Sequence, residues 1–230
     1  MKPTPNRTRQ NDPEGLRTRV LDAAADLFQE RGYHATSMKD LMQATGVSGG
    51  ALHHHFSTKK SLALAVIADR VAPAVRRTWI DPIRAAPSLA KGITGVFAEI
   101  VSAVDARSRV AGCPLNNLAL ELVLSDPNFR SAIDAVFVEW QSALVERIAG
   151  TRGGARLDRA KRTDAAAFII SVYSGAMTLA KSKQNSLSLR SAASVLSHWL
   201  REREFAVELG GAVKVERTAV SEPKNHGDPL

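Results

Sequence analysis

Apolar residues recur at intervals of three and four along nearly the whole chain, and this spacing constrains the fold more than any other feature. Residues three and four apart share one face of a helix. Alanine, leucine, glutamate and arginine, which favour helices, dominate the same segments, and no segment alternates convincingly as a strand does. The pattern predicts an all-α protein, with helices at about 16–31, 37–44, 48–55, 58–79, 88–106, 114–124, 127–149, 163–184 and 188–206.

The composition excludes several classes of protein. One cysteine in 230 residues leaves no disulfide framework and no cysteine-built zinc or iron–sulfur site. The first residues lack the apolar stretch of a secretory signal, and the most apolar segment, 165–180, has 16 residues where a membrane span needs about 20. We therefore expect a cytoplasmic protein without a membrane partner. The net charge of +8 suggests an anionic partner, although six of the basic residues lie in 147–162, where DNA contact cannot be assumed.

Residues 37–55 have the layout of two short helices joined by a tight turn. Ser37 and Ser48 stand where they can cap the two helices, and Gly46 stands where the backbone must turn. Val47 and Leu52 can fill the angle between the helices. This is the layout of a helix-turn-helix, whose second helix enters the major groove of DNA. Taken alone, it also fits a helix–glycine–helix unit that does not bind DNA.

Two positive charges stand at the start of the next helix. Lys59 and Lys60 lie in its first turn, where a positive charge opposes the helix dipole. Free N–H groups and two ammonium groups together suit a DNA phosphate; the alternative is a solvated surface pair. Residues 1–15 are polar and carry Arg7 and Arg9, so we expect a flexible basic arm that follows the DNA backbone or enters the minor groove.

The segment ATSMKDLMQATGVSGGALHHHFSTKKSLALAV resembles the signature of the TetR family of bacterial transcription regulators, and the likeness covers about residues 16–66. The resemblance implies a three-helix DNA-binding domain, joined by a long fourth helix to a divergent helical domain that binds effectors and forms a dimer. We accordingly divide the chain into a flexible basic arm (1–15), a helix-turn-helix DNA-binding domain (16–60), a ligand-binding and dimerisation domain (61–208) and a disordered tail (209–230).

The DNA-contacting residues follow from this layout, with departures from the family pattern. Glycine stands at position 49, where a basic residue is common, and His53 stands where tyrosine is common. Since Gly49 and Gly50 have no side chains, base reading is expected to depend more on Ala51, His53 and the edge 36–39. The candidate DNA-contacting residues are Thr36, Ser37, Lys39, Ser48, Gly49, Gly50, Ala51, His53, His54, Lys59 and Lys60, with Arg7 and Arg9 in the arm.

The three consecutive histidines at 53–55 are not expected to bind a metal. Neighbouring helical positions point about 100° apart, whereas two ligands on one helix need a spacing of four residues. No carboxylate or cysteine completes a set, and no cofactor is indicated. The sequence has no Ser/His/Asp order, paired-carboxylate motif, phosphate-binding loop or dinucleotide fingerprint, so we do not expect an enzyme.

The C-terminal half predicts a dimer. Residues 163–185 are apolar on nearly every side, and such a helix cannot lie on the surface of a monomer. The resemblance implies that this helix and the next form a four-helix interface between two copies, which places two recognition helices about one DNA turn apart. The candidate interface residues are Phe168, Val172, Ala176, Leu189, Leu196 and Trp199.

Cys113 is a candidate sensor of an electrophile or oxidant. It precedes Pro114, a residue suited to the first position of a helix, and a helix N-terminus lowers the pKa of a thiol. The segment GCPLNNLALEL also resembles one in TetR-type regulators, some of which sense electrophiles or oxidants through such a cysteine. The alternative is a small buried hydrophobic residue. The candidate effector-binding residues, several of which can equally be plain core, are Cys113, Asn116, Asn117, Trp140, Tyr173 and Met177.

Together these features predict a homodimeric transcription regulator that binds double-stranded DNA at a palindromic operator and responds to an unknown small-molecule or electrophile effector. We expect a repressor, released when the effector favours a conformer whose recognition helices no longer match the half-site spacing. The alternatives are an activator of the same fold and a helical interaction module whose basic patches meet acidic proteins.

Overall fold

The structure, a computed structural model, describes residues 13–205, and it has no strand in that range, so the predicted all-α class is confirmed. The helices are α1 (Pro13–Arg31), α2 (Met38–Thr45), α3 (Gly49–His55), α4 (Lys59–Val66), α5 (Ala72–Val75), α6 (Asp81–Ala85), α7 (Leu89–Asp105), α8 (Pro114–Leu122), α9 (Pro127–Ala149), α10 (Arg159–Lys183) and α11 (Leu187–Phe205), with a 3-10 turn at Gly154–Arg156.

The described residues include the predicted end of the arm but not the predicted tail. The arm was expected to reach residue 15, but α1 already begins at Pro13, because the fixed φ and missing N–H of proline suit the first position of a helix. Arg7 and Arg9 and the predicted tail (209–230) lie outside the described residues.

The first three helices form a small unit with the predicted caps. Leu41 of α2 and Leu52 of α3 are buried in its core. The Ser37 side chain accepts a hydrogen bond from the Asp40 N–H, and the Asp40 carboxylate accepts one from the Ser37 N–H, which confirms the capping pair. Gly46 ends α2 at a φ of 67°, in the left-handed region that favours glycine, so the turn lies where the sequence placed it.

Residues 59–85 form one continuous helical rod, in which α4, α5 and α6 are separated by π-helical turns at Ile67–Val71 and Arg76–Ile80. The second residue after each π turn is a proline, Pro73 or Pro82. A proline inside a helix removes one N–H donor, and its ring clashes with the carbonyl four residues earlier, so a wider turn relieves the conflict. The rod therefore continues six residues beyond the predicted end near residue 79.

The C-terminal helices surround an aromatic core. α10 packs against both α9 and α11, and α11 also packs against α7. The Trp79 ring lies 4.7 Å from that of Tyr173 and 4.8 Å from that of Trp140, and Phe97 completes the cluster. Aromatic pairs of this kind stabilise a fold by about 0.5–1.5 kcal/mol each beyond their burial.

Within residues 13–205, α10 is the one helix long and apolar enough, by length and composition, to cross a membrane. It has 25 residues, and the 16-residue apolar stretch 165–180 lies within it. A helix in the core or the dimer interface of a globular protein meets the same test, and α10 packs against two neighbouring helices.

Candidate functional site

The surface of α2 and α3 carries most of the predicted DNA-contacting residues. Ser37 and Lys39, at the start of α2, are exposed, and so are Gly50, His53 and His54 of α3. Exposed polar and small residues on the second helix of such a unit can reach base edges and phosphates. The structure thus leaves these five positions available to DNA.

Ser48 and the glycines that follow it shape the start of α3. The Ser48 hydroxyl accepts a hydrogen bond from the Ala51 N–H at 3.3 Å, so Ser48 caps α3 as predicted. A Cβ atom at Gly49 would lie 3.4 Å from the Met42 sulfur, whereas a Cβ atom at Gly50 would meet nothing within 4 Å. Gly49 and Ala51 are both half-buried, and Gly50 alone opens fully to the outside.

Thr36 does not belong to this surface. Its side chain is 1% exposed, and its hydroxyl donates a hydrogen bond to the Gly32 carbonyl at 2.8 Å. The prediction that the Thr36 side chain contacts DNA is therefore wrong, because the hydroxyl stabilises the connection between α1 and α2.

Lys59 and Lys60 both have partners inside the protein. The Lys59 ammonium donates to the carbonyls of Tyr33 at 3.1 Å and Thr36 at 2.9 Å, and it lies 4.2 Å from the centre of the Tyr33 ring. Lys60 forms an ion pair with Asp126, and this hydrogen bond holds the pKa of the Asp126 carboxyl below its usual range. Protein acceptors thus explain two positive charges in a first turn, and phosphate contact by either lysine stays a prediction.

The residue that sequence reasoning missed is Glu121. Its carboxylate accepts hydrogen bonds from the Tyr33 N–H at 2.8 Å and the His34 N–H at 2.6 Å, which joins α8 to the connection between α1 and α2. Glu121 stands in the last turn of α8, where a negative charge opposes the helix dipole. This unfavourable position was the signal in the sequence that could have identified Glu121, because a carboxylate there implies hydrogen-bond donors outside the helix.

A cleft of about 730 Å³ lies between the rod 59–85, α7 and the segment before α8, and α1 contributes Gln29 to its wall. The Gln29 side chain donates to the Gly112 carbonyl at 3.0 Å, so the wall of the cleft is tied to α1. Clefts of 300–1,000 Å³ hold drug-sized molecules. Of the six predicted effector-binding residues, Met177 alone is among those lining this cleft.

Cys113 stands in the core at the N-cap position of α8, where its side chain makes no capping hydrogen bond, and Pro114 is at the first helical position as predicted. Burial raises the pKa of the Cys113 thiol, and the nearby Asn116 backbone, Tyr173 side chain and Leu115 backbone lower it by less. The expectation of a low thiol pKa is therefore wrong, because the cost of burying a thiolate exceeds the help from the helix end. The alternative of a small buried residue describes this cysteine.

The other predicted effector residues are core or already bonded. Trp140 and Tyr173 are buried in the aromatic cluster, and Trp140 Nε1 has no hydrogen-bond partner among the described residues. Asn117 donates to the Ala111 carbonyl and accepts from Lys181, while Asn116 accepts a long 3.4 Å bond from Ser174. These four residues hold α8 and α10 in place rather than lining the cleft.

The outer faces of α10 and α11 carry apolar side chains that residues 13–205 leave exposed. Phe168 and Leu179 of α10 are 45% and 51% exposed, and Leu187 and Val195 of α11 are 65% and 71% exposed. A Cβ atom at Gly175, in the same helix as Phe168, would meet nothing within 4 Å, so the backbone there is open to close approach. Such a face marks an interaction surface.

Three of the predicted interface residues are buried within one copy. Ala176, Leu189 and Leu196 are 6%, 0% and 1% exposed within one copy, so the prediction that they form the interface is wrong. Helical spacing identifies apolar positions but does not say which side faces its own core. Phe168 is exposed and Val172 and Trp199 are half-buried, with the Phe168 and Trp199 rings 5.0 Å apart.

Two family models match the chain. The model described as bacterial regulatory proteins, tetR family, matches residues 20–66, and the model of the LmrA/YxaF-like transcriptional regulator C-terminal domain matches residues 90–195. The HTH-type transcriptional regulator LmrA of Bacillus subtilis is 28% identical over 174 residues, which are 75% of this chain and 90% of LmrA. The HTH-type transcriptional repressor KstR2 of Rhodococcus jostii is 50% identical over 48 residues, 21% of this chain and 24% of KstR2.

Solved structures agree with these matches. A TetR transcriptional regulator from Chloroflexus aurantiacus superposes with a TM-score of 0.72 at 28% identity, over 83% of this chain and 96% of that one. The first family model covers the helix-turn-helix unit and α4, and the second covers α8 to α10, most of α7 and the first half of α11. The chain therefore belongs to the TetR family of bacterial transcriptional regulators, which bind DNA, act as dimers and are not enzymes.

Proposed function

We propose that this protein is a homodimeric repressor that binds a palindromic operator and leaves it when a small molecule occupies the cleft beside α7. The occupied conformer would hold the two α3 helices at a spacing that no longer matches the two half-sites, which are about 34–36 Å apart on DNA. A bacterial regulator of this kind acts in the cytoplasm, where the chromosome lies.

The observation that carries the proposal is that α8 joins the cleft to the DNA-binding unit at two points. Just before its first turn, the Gly112 carbonyl in the cleft wall accepts a hydrogen bond from Gln29 of α1. In its last turn, Glu121 accepts hydrogen bonds from the Tyr33 and His34 N–H groups. A ligand that displaces the cleft wall would therefore move a helix that is bonded to the DNA-binding unit.

Linkage between the two sites makes the effect of the ligand on DNA binding reciprocal. A ligand shifts the equilibrium between conformers only if it binds one of them more tightly. The factor by which the bound ligand lowers DNA affinity is then also the factor by which bound DNA lowers ligand affinity. Typical coupling of 1–3 kcal/mol corresponds to about 5–150-fold in operator affinity.

A palindromic operator is expected only if the protein is a two-fold symmetric dimer. We propose that a second copy covers the exposed face of α10 and α11, since Leu179 and Val195 are apolar and more than half exposed. An aspartate at Leu179 or Val195 would bury an unpaired charge in that interface. We expect L179D and V195D to shift the protein toward monomer in analytical ultracentrifugation, while S131D, at an exposed polar position on α9 away from that face, serves as the control.

On DNA, we propose that Ser37 and Lys39 contact phosphates and that Ala51 and His53 contact base edges. A phosphate contact weakens binding to all sequences alike, whereas a base contact changes the preferred sequence. We therefore expect K39M to lower affinity for specific and random duplexes by a similar factor, and H53A to relax the preference at one position of each half-site.

The experiment that tests release combines ligand and operator binding. Fluorescence anisotropy of a labelled operator is measured with and without a compound that calorimetry has shown to bind the protein, for the unaltered chain and for E121A. We expect the ligand to weaken operator binding at least fivefold in the unaltered chain and clearly less in E121A. Cleft occupancy that leaves operator affinity unchanged would contradict the proposal.

A reporter fusion distinguishes repression from activation. With the operator placed in a reporter promoter, we expect loss of the protein to raise transcription. A fall in transcription would instead indicate an activator of the same fold.

A further inference from the structure

The floor and the rim of the cleft differ in chemistry. The floor is formed by buried apolar side chains from α7, the segment before α8 and α10, including Val96, Ile100, Val110 and Met177. Such a floor takes the apolar body of a ligand, because burial of apolar surface contributes about 25 cal/mol per Å².

The rim carries a surplus of positive charge. Arg77, Lys91, Arg107 and Arg109 line the cleft and are all exposed, against Glu99 as the one carboxylate among its lining residues. Four cations and one anion leave a surplus of three positive charges at the mouth. Apolar walls of low dielectric strengthen the field of charges placed at such a mouth.

Among the described residues, these cations have no acidic partners. Within residues 13–205, none of the four rim cations forms an ion pair. The Arg109 guanidinium donates a long hydrogen bond to the Glu30 carbonyl, at 3.5 Å. On the same rod, Arg76 and Arg84 pair with Glu139 and Glu146 outside the cleft. On the rod, the arginine without an ion pair, Arg77, is therefore the one that lines the cleft.

We propose that the cleft binds amphipathic anions, molecules with an apolar body and one acidic group at one end. The acidic group lies at the rim toward Arg77, Arg107 and Arg109, and the body lies on the apolar floor. A guanidinium forms two parallel hydrogen bonds with a carboxylate or phosphate group, which makes arginine suited to this recognition. The inference rests on the proposed function, since it assigns a chemical class to the effector of the same cleft.

The test compares three probes that share one body and differ in the end group: decanoate, decanol and decylamine. Each is titrated into the full-length dimer by isothermal titration calorimetry below its micelle-forming concentration, at low and at high salt. We expect decanoate to bind at least fivefold more tightly than decanol, and decylamine to bind most weakly. High salt should reduce the advantage of decanoate but not the affinity for decanol, because exposed charges are screened.

Variants locate the effect at the rim. The double variant R107Q/R109Q should lose most of the advantage of decanoate over decanol while keeping its decanol affinity. R152Q, an exposed arginine outside the cleft, is the matched control and should change nothing. E99Q removes the one carboxylate of the lining, and we expect it to tighten decanoate binding, a gain that misfolding cannot produce.

Equal affinity for the three probes, no binding by any of them, tighter binding of decylamine, or an unchanged preference in R107Q/R109Q would each overturn the proposal. Operator binding measured on the same preparations keeps the two ideas separate. If the protein binds no specific DNA but prefers decanoate as expected, the proposed function fails and the ligand class stands. If decanoate shows no preference while operator binding is intact, only the ligand class fails.

Discussion

Replacing Lys59 by methionine should destabilise the connection between α1 and α2, even in the absence of DNA. Methionine keeps the length of the side chain but removes the ammonium that donates to the Tyr33 and Thr36 carbonyls and lies over the Tyr33 ring. A hydrogen bond to a charged group contributes about 1.5–3 kcal/mol, and an exposed cation–π contact about 0.5–1 kcal/mol. Lys59 is half-exposed, so water can replace part of what is lost, and we expect a cost of about 2 kcal/mol.

Hydrogen exchange is the suitable assay, because the three tryptophans lie at 79, 140 and 199, outside the helix-turn-helix unit. A cost of about 2 kcal/mol corresponds to a loss of roughly 30-fold in amide protection across α1 and α2. K39M is the control, since Lys39 is exposed, and its protection should be unchanged. Unchanged protection in K59M, together with a fall of about one in the salt slope of DNA binding, would refute the reasoning and make Lys59 a phosphate contact alone.

Three further predictions follow from local geometry. Gly46→Ala should destabilise the protein by about 1–2 kcal/mol because the φ of Gly46 is 67°. Gly50→Ala should instead stabilise α3 by about 0.5–1 kcal/mol, because a Cβ there meets nothing within 4 Å. Urea denaturation followed by circular dichroism checks both, and changes of the same sign in the free energy of unfolding would contradict the account. Cys113 should react with iodoacetamide more slowly than free cysteine at neutral pH, since burial raises its pKa, and fast alkylation of the folded protein would refute this. Because the pKa of Asp126 is lowered in the folded state, its carboxylate stabilises the fold above the usual aspartate pKa, and this stabilisation is lost as the pH falls through the folded-state pKa. The stability advantage of the unaltered chain over D126N should therefore be constant near neutrality and disappear in acid. Asparagine keeps the cap of α9, so a difference that persists in acid would exclude the Lys60 pair as its source.

Sequence reasoning succeeded where the local chain decides the outcome. Ser37, Gly46 and Ser48 act within a few residues of themselves, and the structure has the caps and the turn at those positions. Helix bounds were also local, since Pro127 and Pro114 begin helices as their fixed φ requires. Residues 59–85 were the exception, because a π turn can carry a helix past a proline.

Sequence reasoning failed where distant groups compete. Burial, which depends on the whole core, raises the pKa of the Cys113 thiol by more than the backbone groups at the start of α8 lower it. Leu189 and Leu196 have the spacing of an apolar stripe, and only the packing of α11 shows that they face their own core. Glu121 has partners 87 and 88 residues away in sequence, which no local pattern identifies.

Two of the surplus basic residues in 147–162 form hydrogen bonds to backbone carbonyls, which composition alone does not reveal. The Arg147 guanidinium donates to the carbonyls of Ile83 and Ala86 at the end of α6, and Arg162 donates to the Gly154 carbonyl. Arginine side chains bonded to carbonyls in this way stabilise chain ends and turns. Part of the net charge of +8 therefore stabilises the C-terminal helices and does not require an anionic partner.

The most direct test of the central claim is selection of DNA sites from a random duplex pool by the full-length protein, followed by sequencing of the bound fraction. If the protein is a dimeric operator-binding regulator, the enriched sites will share a palindrome whose half-site centres are about one helical turn, 34–36 Å, apart. K39M should then bind that palindrome and random duplex more weakly by the same factor. A bound fraction without sequence enrichment, or with an asymmetric single site, would contradict the account.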